Sequence, residues 1–238
     1  CWRDAWQRPE LRGRSLLAPD LPGFGHTPPP AGFSGDLASH AGVLAALIDA
    51  PALRRIHLVA HSMGGSVALL LPPQVLARLA SLVLVEPRLL RSSCGIAAEA
   101  ADVTEKRFRE KIFPRMRARL MGDPRPVFDF DRADPAMVFA GSRSMLNWTD
   151  GDSLLERFRT APCRRFFVYG ADNRHLDALA RIAPELTVPI ARAAHFLLNH
   201  HPDGVSGRMP ALFARPPRWR RMHRFNGMLR HRLPADAT

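Results

Sequence analysis

The chain has 238 residues, with 34 lysines and arginines against 22 acids, a net charge of +12, and 46% hydrophobic residues. That length and composition suit one sizeable globular domain. No apolar run approaches the roughly 18 residues a membrane-spanning helix needs. Charged residues from Arg3 to Asp20 leave no room for the apolar centre of a signal peptide, which points towards the cytoplasm. The chain opens on Cys1 rather than Met, in dense core-like sequence, as if its true beginning lay upstream.

The basic excess is almost all arginine, with Lys106 and Lys111 as the lysines. About half of it falls in residues 215–238, where seven arginines face Asp236 alone. Without an aromatic-interleaved groove or zinc-finger spacing, this reads as a solvated basic tail rather than a nucleic-acid or anionic-membrane partner. Cys1, Cys94 and Cys163 are odd in number and lack metal-ligand spacing, so reduced thiols and no metal site are expected.

In chain order, Arg14–Ala18 is a short apolar run closed by Pro19-Asp20, which predicts a strand end, followed by the Gly/Pro loop 21–26. Leu37, Ala41, Leu44, Ala45 and Ile48 recur at helical spacing, with Ser34 and Asp36 as candidate caps. Ile56–Ala60, Ser81–Val85, Arg165–Tyr169 and, more weakly, Leu186–Ile190 are apolar runs of strand length. They lack polar alternation, as strands do in a parallel sheet covered on both faces. Ser66–Leu71 predicts a small-residue helix stopped by Pro72-Pro73. Residues 95–160 mix charged amphipathic stretches (Ala98–Phe113, Met116–Met121, Leu154–Phe158) with Phe128, Phe130, Phe139, Met145 and Trp148. They predict a helical insertion over one end of the sheet, with the aromatics roofing an apolar pocket.

Between a predicted strand and a predicted helix stands Ala60-His61-Ser62-Met63-Gly64-Gly65. This fits the nucleophile-elbow pattern, in which a sharp strand-to-helix turn exposes a serine in a strained conformation. The pattern expects small residues two before and two after the serine, because strand and helix pass close there. Ala60 and Gly64 meet that demand. The Met63 N–H, opening the helix, can face a developing oxyanion.

Here the chain resembles the α/β-hydrolase superfamily, in its serine-nucleophile, esterase-like branch. Residues 18–25 look like the loop after that family's fourth strand, 57–65 like its fifth strand and elbow, and Ala193-Ala194-His195-Phe196 like its G-x-G-H-F segment with alanines for glycines. The resemblance implies an α/β fold, a mostly parallel doubly wound sheet with a helical lid. Residues 1–94 would be core with its first strands missing, 95–160 the lid, 161–214 the rest of the core, and 215–238 the tail. It makes Ser62 the nucleophile and His195 the base. The acid is Glu86, at the end of the second predicted strand, or Asp172, one residue before the family's usual position at Asn173. Met63 supplies an oxyanion donor, and His61 and Phe24 line the substrate pocket. The second oxyanion donor belongs to a loop absent from this chain, and residues 1–13 look like the helix after it.

The implied function is hydrolysis of a small apolar ester-like substrate without metal or organic cofactor. C–C bond or thioester hydrolysis and perhydrolysis use a similar serine site. Two further readings stand beside it: a truncated, non-catalytic homologue, and anionic-surface binding through the basic tail.

Overall fold

The structure is a computed structural model that describes residues 2, 5, 7–121 and 130–214. Cys1, Phe128 and the basic tail 215–238 lie outside the described residues. Four strands, β1 (Ile56–His61), β2 (Leu79–Val85), β3 (Arg165–Gly170) and β4 (Thr187–Ile190), form one sheet in that order. Every neighbouring pair is parallel. Leu82 pairs Arg165 and Val85 pairs Val168, so the strands finish side by side at one end of the sheet.

Both faces are covered, which is why the strands carry no polar alternation. Leu82, Leu84 and Phe167 point to one face and join Leu69, Leu76, Leu154 and Phe158 in the largest apolar cluster. Val83, Val85, Val168 and Ile190 point to the other and meet Leu197, Val205, Met209 and Phe213. Leu84 is fully buried, and truncating such a leucine to alanine costs about 2–5 kcal/mol. No described helix is long and apolar enough to cross a membrane.

The first helices are α1 (Leu37–Ile48), α2 (Met63–Leu69) and α3 (Pro73–Ala77). Helix α1 starts where the Asp36 carboxylate accepts the Ser39 N–H, at 2.7 Å. Between β2 and β3 come α4 (Gly95–Ala98), α5 (Glu105–Arg107), a π turn over Phe108–Ile112, α6 (Phe113–Met121), α7 (Pro135–Trp148) and α8 (Ser153–Thr160). The stretch from 98 to 113 is not one helix. Thr104 caps a fresh start, its side chain accepting the Arg107 N–H. Helix α8 buries Leu154, Leu155 and Phe158 in the sheet's main cluster, with Phe158 edge-on to Phe167 at 6.2 Å. The chain finishes in α9 (Leu197–His200), α10 (Pro202–Ser206) and α11 (Met209–Phe213).

Two further expectations differ from the structure. Arg14–Ala18 forms no strand, because a cleft lies between it and the edge strand β1, with both segments lining its walls. Within 7–13, the continuously described part of the expected helix 1–13, there is a 3-10 turn at Pro9–Leu11 and no α-helix.

Candidate active site

The sheet register assembles the site. Strand β1 ends at His61, and Ser62 turns with φ 52° and ψ −120° into α2. Glu86 closes β2 with φ 47°. A side chain bearing a Cβ is strained at positive φ. Both residues are held there by the neighbouring strand: Ser62 N–H donates to Val85 O at 3.0 Å, and Glu86 N–H to Val168 O at 2.8 Å. Each chain end is thus clamped one strand over, and the two side chains rise at the same edge.

His195 arrives on the loop after β4, and its Nε2 lies 3.1 Å from Ser62 Oγ. Its Nδ1 faces Glu86 Oε2 at 3.5 Å. Neither of those two atoms has a hydrogen-bond partner, so the imidazole faces the carboxylate at ion-pair distance with no other group competing for either atom. Glu86 is wholly buried. Its Oε1 accepts the Gly170 N–H at 2.9 Å and the Asn173 amide at 3.0 Å. Burial alone would push this carboxyl up, but the facing His195 imidazole and the donors from Asn173 and Gly170 outweigh it and hold the group below its ordinary value. His195 is pushed below the usual histidine value, first by burial and further by the positive charge of Arg88, against the pull of Glu86. It is therefore neutral at pH 7, with Nδ1–H towards Glu86 and a lone pair towards the serine hydroxyl.

The loop bearing His195 is tied at two carbonyls. His61 Nε2–H donates to His195 O at 2.8 Å, and Asp172 N–H donates to Ala193 O at 3.1 Å. Burial, with the neighbouring His195 second, drives His61 down to about 3, so it stays neutral and keeps the donor proton. A methyl placed on Gly170 would meet Ala193 O at 2.1 Å, so glycine is what lets β3 pass beneath this loop. The elbow's tight contact is also a glycine, one residue later than expected. A Cβ on Gly65 would meet Pro87 Cβ at 2.9 Å, whereas one on Gly64 would touch Ala60 at an ordinary 3.9 Å.

Each expected residue therefore has a place. Ser62, His195 and Glu86 converge; Asp172 is exposed, with its backbone rather than its carboxylate turned to the loop. Met63 opens α2, leaving its N–H without an intrahelical acceptor. Phe24, His61, Phe130 and Met145 line a cleft of about 1010 Å³ that also exposes Ser62 and His195. Phe139 instead packs on Phe108 at 5.3 Å, and Trp148 lies under the Arg157 guanidinium at 5.3 Å. Sequence reasoning missed Gly170, Asn173 and the tether from His61. Asn173 stands where the family's acid is expected, and an amide there was the one available signal that it serves a carboxylate from another strand.

The alpha/beta hydrolase family model matches residues 1–208. The chain belongs to this family. A 2-hydroxy-6-oxo-2,4-heptadienoate hydrolase of Pseudomonas putida is 35% identical over 102 residues, which is 42% of this chain and 34% of that protein. A thermophilic esterase from Thermogutta terrifontis, solved with malate bound, superposes with a TM-score of 0.61 at 25% identity, covering 81% of this chain and 77% of that one. The N-acyl homoserine lactonase AidH gives the same score at 16% identity over 81% of this chain and 76% of its own. In this chain Ser62 and Glu86 stand where the parallel strands β1 and β2 end.

Proposed function

We propose that the chain is a serine hydrolase that transfers an acyl group from a carboxylic ester, or a similar carbonyl compound, to water. The observation carrying this is the imidazole of His195, 3.1 Å from Ser62 Oγ on one side and facing the buried Glu86 on the other. Ser62 Oγ attacks the carbonyl carbon while His195 Nε2 takes its proton. The Met63 N–H, with the positive end of the local backbone dipoles, meets the developing oxyanion. His195 then gives the proton to the departing alcohol, leaving an acyl-serine. Water, deprotonated by the same imidazole, adds to the acyl carbon and releases the acid and the free serine. Glu86 stabilises the imidazolium in both halves and holds its tautomer.

Labelling with a fluorophosphonate probe tests this. Covalent attachment to the chain, lost in Ser62→Ala, is the expected result. A folded chain that fails to label has no activated serine and is a non-catalytic homologue. A second reading is C–C bond hydrolysis at the same serine, favoured by the match to the heptadienoate hydrolase. Turnover of a dienoate substrate with no ester turnover would select it.

A further inference from the structure

The cleft holds one charge near Ser62 that the proposed reaction does not use. Arg88 lies two residues beyond Glu86, on the loop leaving β2, and its backbone is pinned to the elbow helix: the buried Ser66 hydroxyl donates to Arg88 O at 3.0 Å. Its side chain is half-buried and lines the cleft together with Ser62, Met63 and His195. Among the described residues the guanidinium makes no hydrogen bond or ion pair. The other cleft arginines differ. Arg54 and Arg55 flank the start of β1 and are exposed, about 20 Å of strand away from Ser62. Arg14 covers the Phe213 ring at 5.0 Å.

A partly desolvated, unpaired cation is unfavourable unless something matches it. Burial lowers the Arg88 pKa accordingly, while Glu86 and Cys94 favour the charged form. Neither is free to pair with it. Glu86 Oε1 accepts from Gly170 and Asn173, and Oε2 faces His195. The buried Cys94 thiol, raised in pKa first by burial, stays protonated. The guanidinium is thus left open to an anion that enters the cleft. A guanidinium presents a planar fork of donors suited to a carboxylate, and the cleft wall beyond it is apolar, with Ile96, Val138 and Met145.

We propose that Arg88 is a specificity determinant that receives a carboxylate on the substrate's acyl chain, so that the substrate class is the half-ester of a dicarboxylic acid or an equivalent anionic acyl compound. This rests on the serine-hydrolase proposal above and deepens it. The occupied site also feeds back on the base. Arg88 lowers the His195 pKa, so a bound carboxylate that cancels its charge lets that pKa rise in the complex.

The test compares kcat/KM for monomethyl glutarate and monomethyl adipate with methyl pentanoate and methyl hexanoate, the neutral esters of matching length. Wild type is expected to prefer the half-esters. Arg88→Met, which keeps length and apolar bulk, should lower that preference about 10- to 100-fold, the range of a charge-assisted hydrogen bond. Arg88→Lys should retain part of it. For the half-esters, the acid limb of kcat should lie at higher pH than that of kcat/KM; for neutral esters the two should coincide. Thermal unfolding of each variant confirms that it is folded. A wild type without preference, or an Arg88→Met variant with the same preference, overturns the assignment while Ser62 labelling still stands. If Ser62 neither labels nor turns over any of the esters, the hydrolase proposal fails and this one falls with it.

Discussion

Gly170 offers a severe test of how the His195 loop is held. Its backbone angles, φ −72° and ψ 134°, suit any residue, so Gly170→Ala brings no conformational strain and acts through contact alone. The added methyl would sit 2.1 Å from Ala193 O and 2.4 Å from Ala193 C, where ordinary contact begins at 3.4 Å. Because these are backbone atoms, no rotamer change relieves the clash, and the loop must retreat by more than 1 Å. His195 lies two residues further on. A displacement of about 1 Å between reacting groups costs on the order of 100-fold in rate, so kcat should fall about that much while the serine stays in place. If β3 yields instead, the Gly170 N–H leaves Glu86 Oε1, and the rate falls by a different route. The assay is steady-state turnover of a neutral aryl ester, with thermal unfolding in parallel. Gly42→Ala is the control, since a methyl there meets nothing within 4 Å and an alanine in a helix gains up to about 1 kcal/mol over glycine. A Gly170→Ala variant with wild-type kcat would refute the proposed support of His195 by β3.

Glu86→Gln keeps the shape but loses the charge facing His195, and kcat should drop about 10³- to 10⁴-fold; a change under tenfold would remove Glu86 from the proposed relay. His61→Phe keeps the ring but frees the His195 carbonyl, and a lost hydrogen bond of ~1–1.5 kcal/mol predicts a kcat about tenfold lower with KM little changed. Since His195 must be neutral to accept a proton and its pKa lies below the ordinary 6.5, kcat/KM should hold down past pH 6.5 and fall only as pH drops through the lowered value. An acid limb above pH 6.5 on a neutral ester would contradict this. Stability follows the same sign. His61 is neutral in the fold down to about 3, whereas in the unfolded chain it binds a proton below about 6.5. Unfolding should therefore become easier between pH 6.5 and 3, and His61→Phe should flatten that slope in urea titrations.

Much of the frame was legible in the amino-acid order. Val83, Val85 and Leu82, Leu84 read as one unbroken apolar run because the sheet is covered on both faces, a property local sequence reports directly. Asp36 announces α1 by a bond made within three residues. The elbow was legible as well, because the sharp turn at Ser62 needs small neighbours on the chain itself, although Gly65 carries the tight contact. The run 14–18 misled for the same reason turned round. An apolar stretch specifies a strand only where a partner edge lies alongside, and composition holds no record of that.

What the sequence by itself determined is the parallel sheet, the position of the strained serine, and a histidine near the end of the fold. The tertiary structure alone decided which carboxylate lies against that histidine. Glu86 and Asp172 are both carboxylates at strand ends, and nothing local separates them. The choice comes from register. Because β2 and β3 pair Val85 with Val168, Glu86 is buried beside Gly170 and Asn173, which donate to it, while Asp172 is left facing solvent. Long-range pairing, not residue type, places a charge within reach of its partner, and so the tether from His61, the close pass of the loop over Gly170 and the unmatched Arg88 become visible only once the strands are aligned.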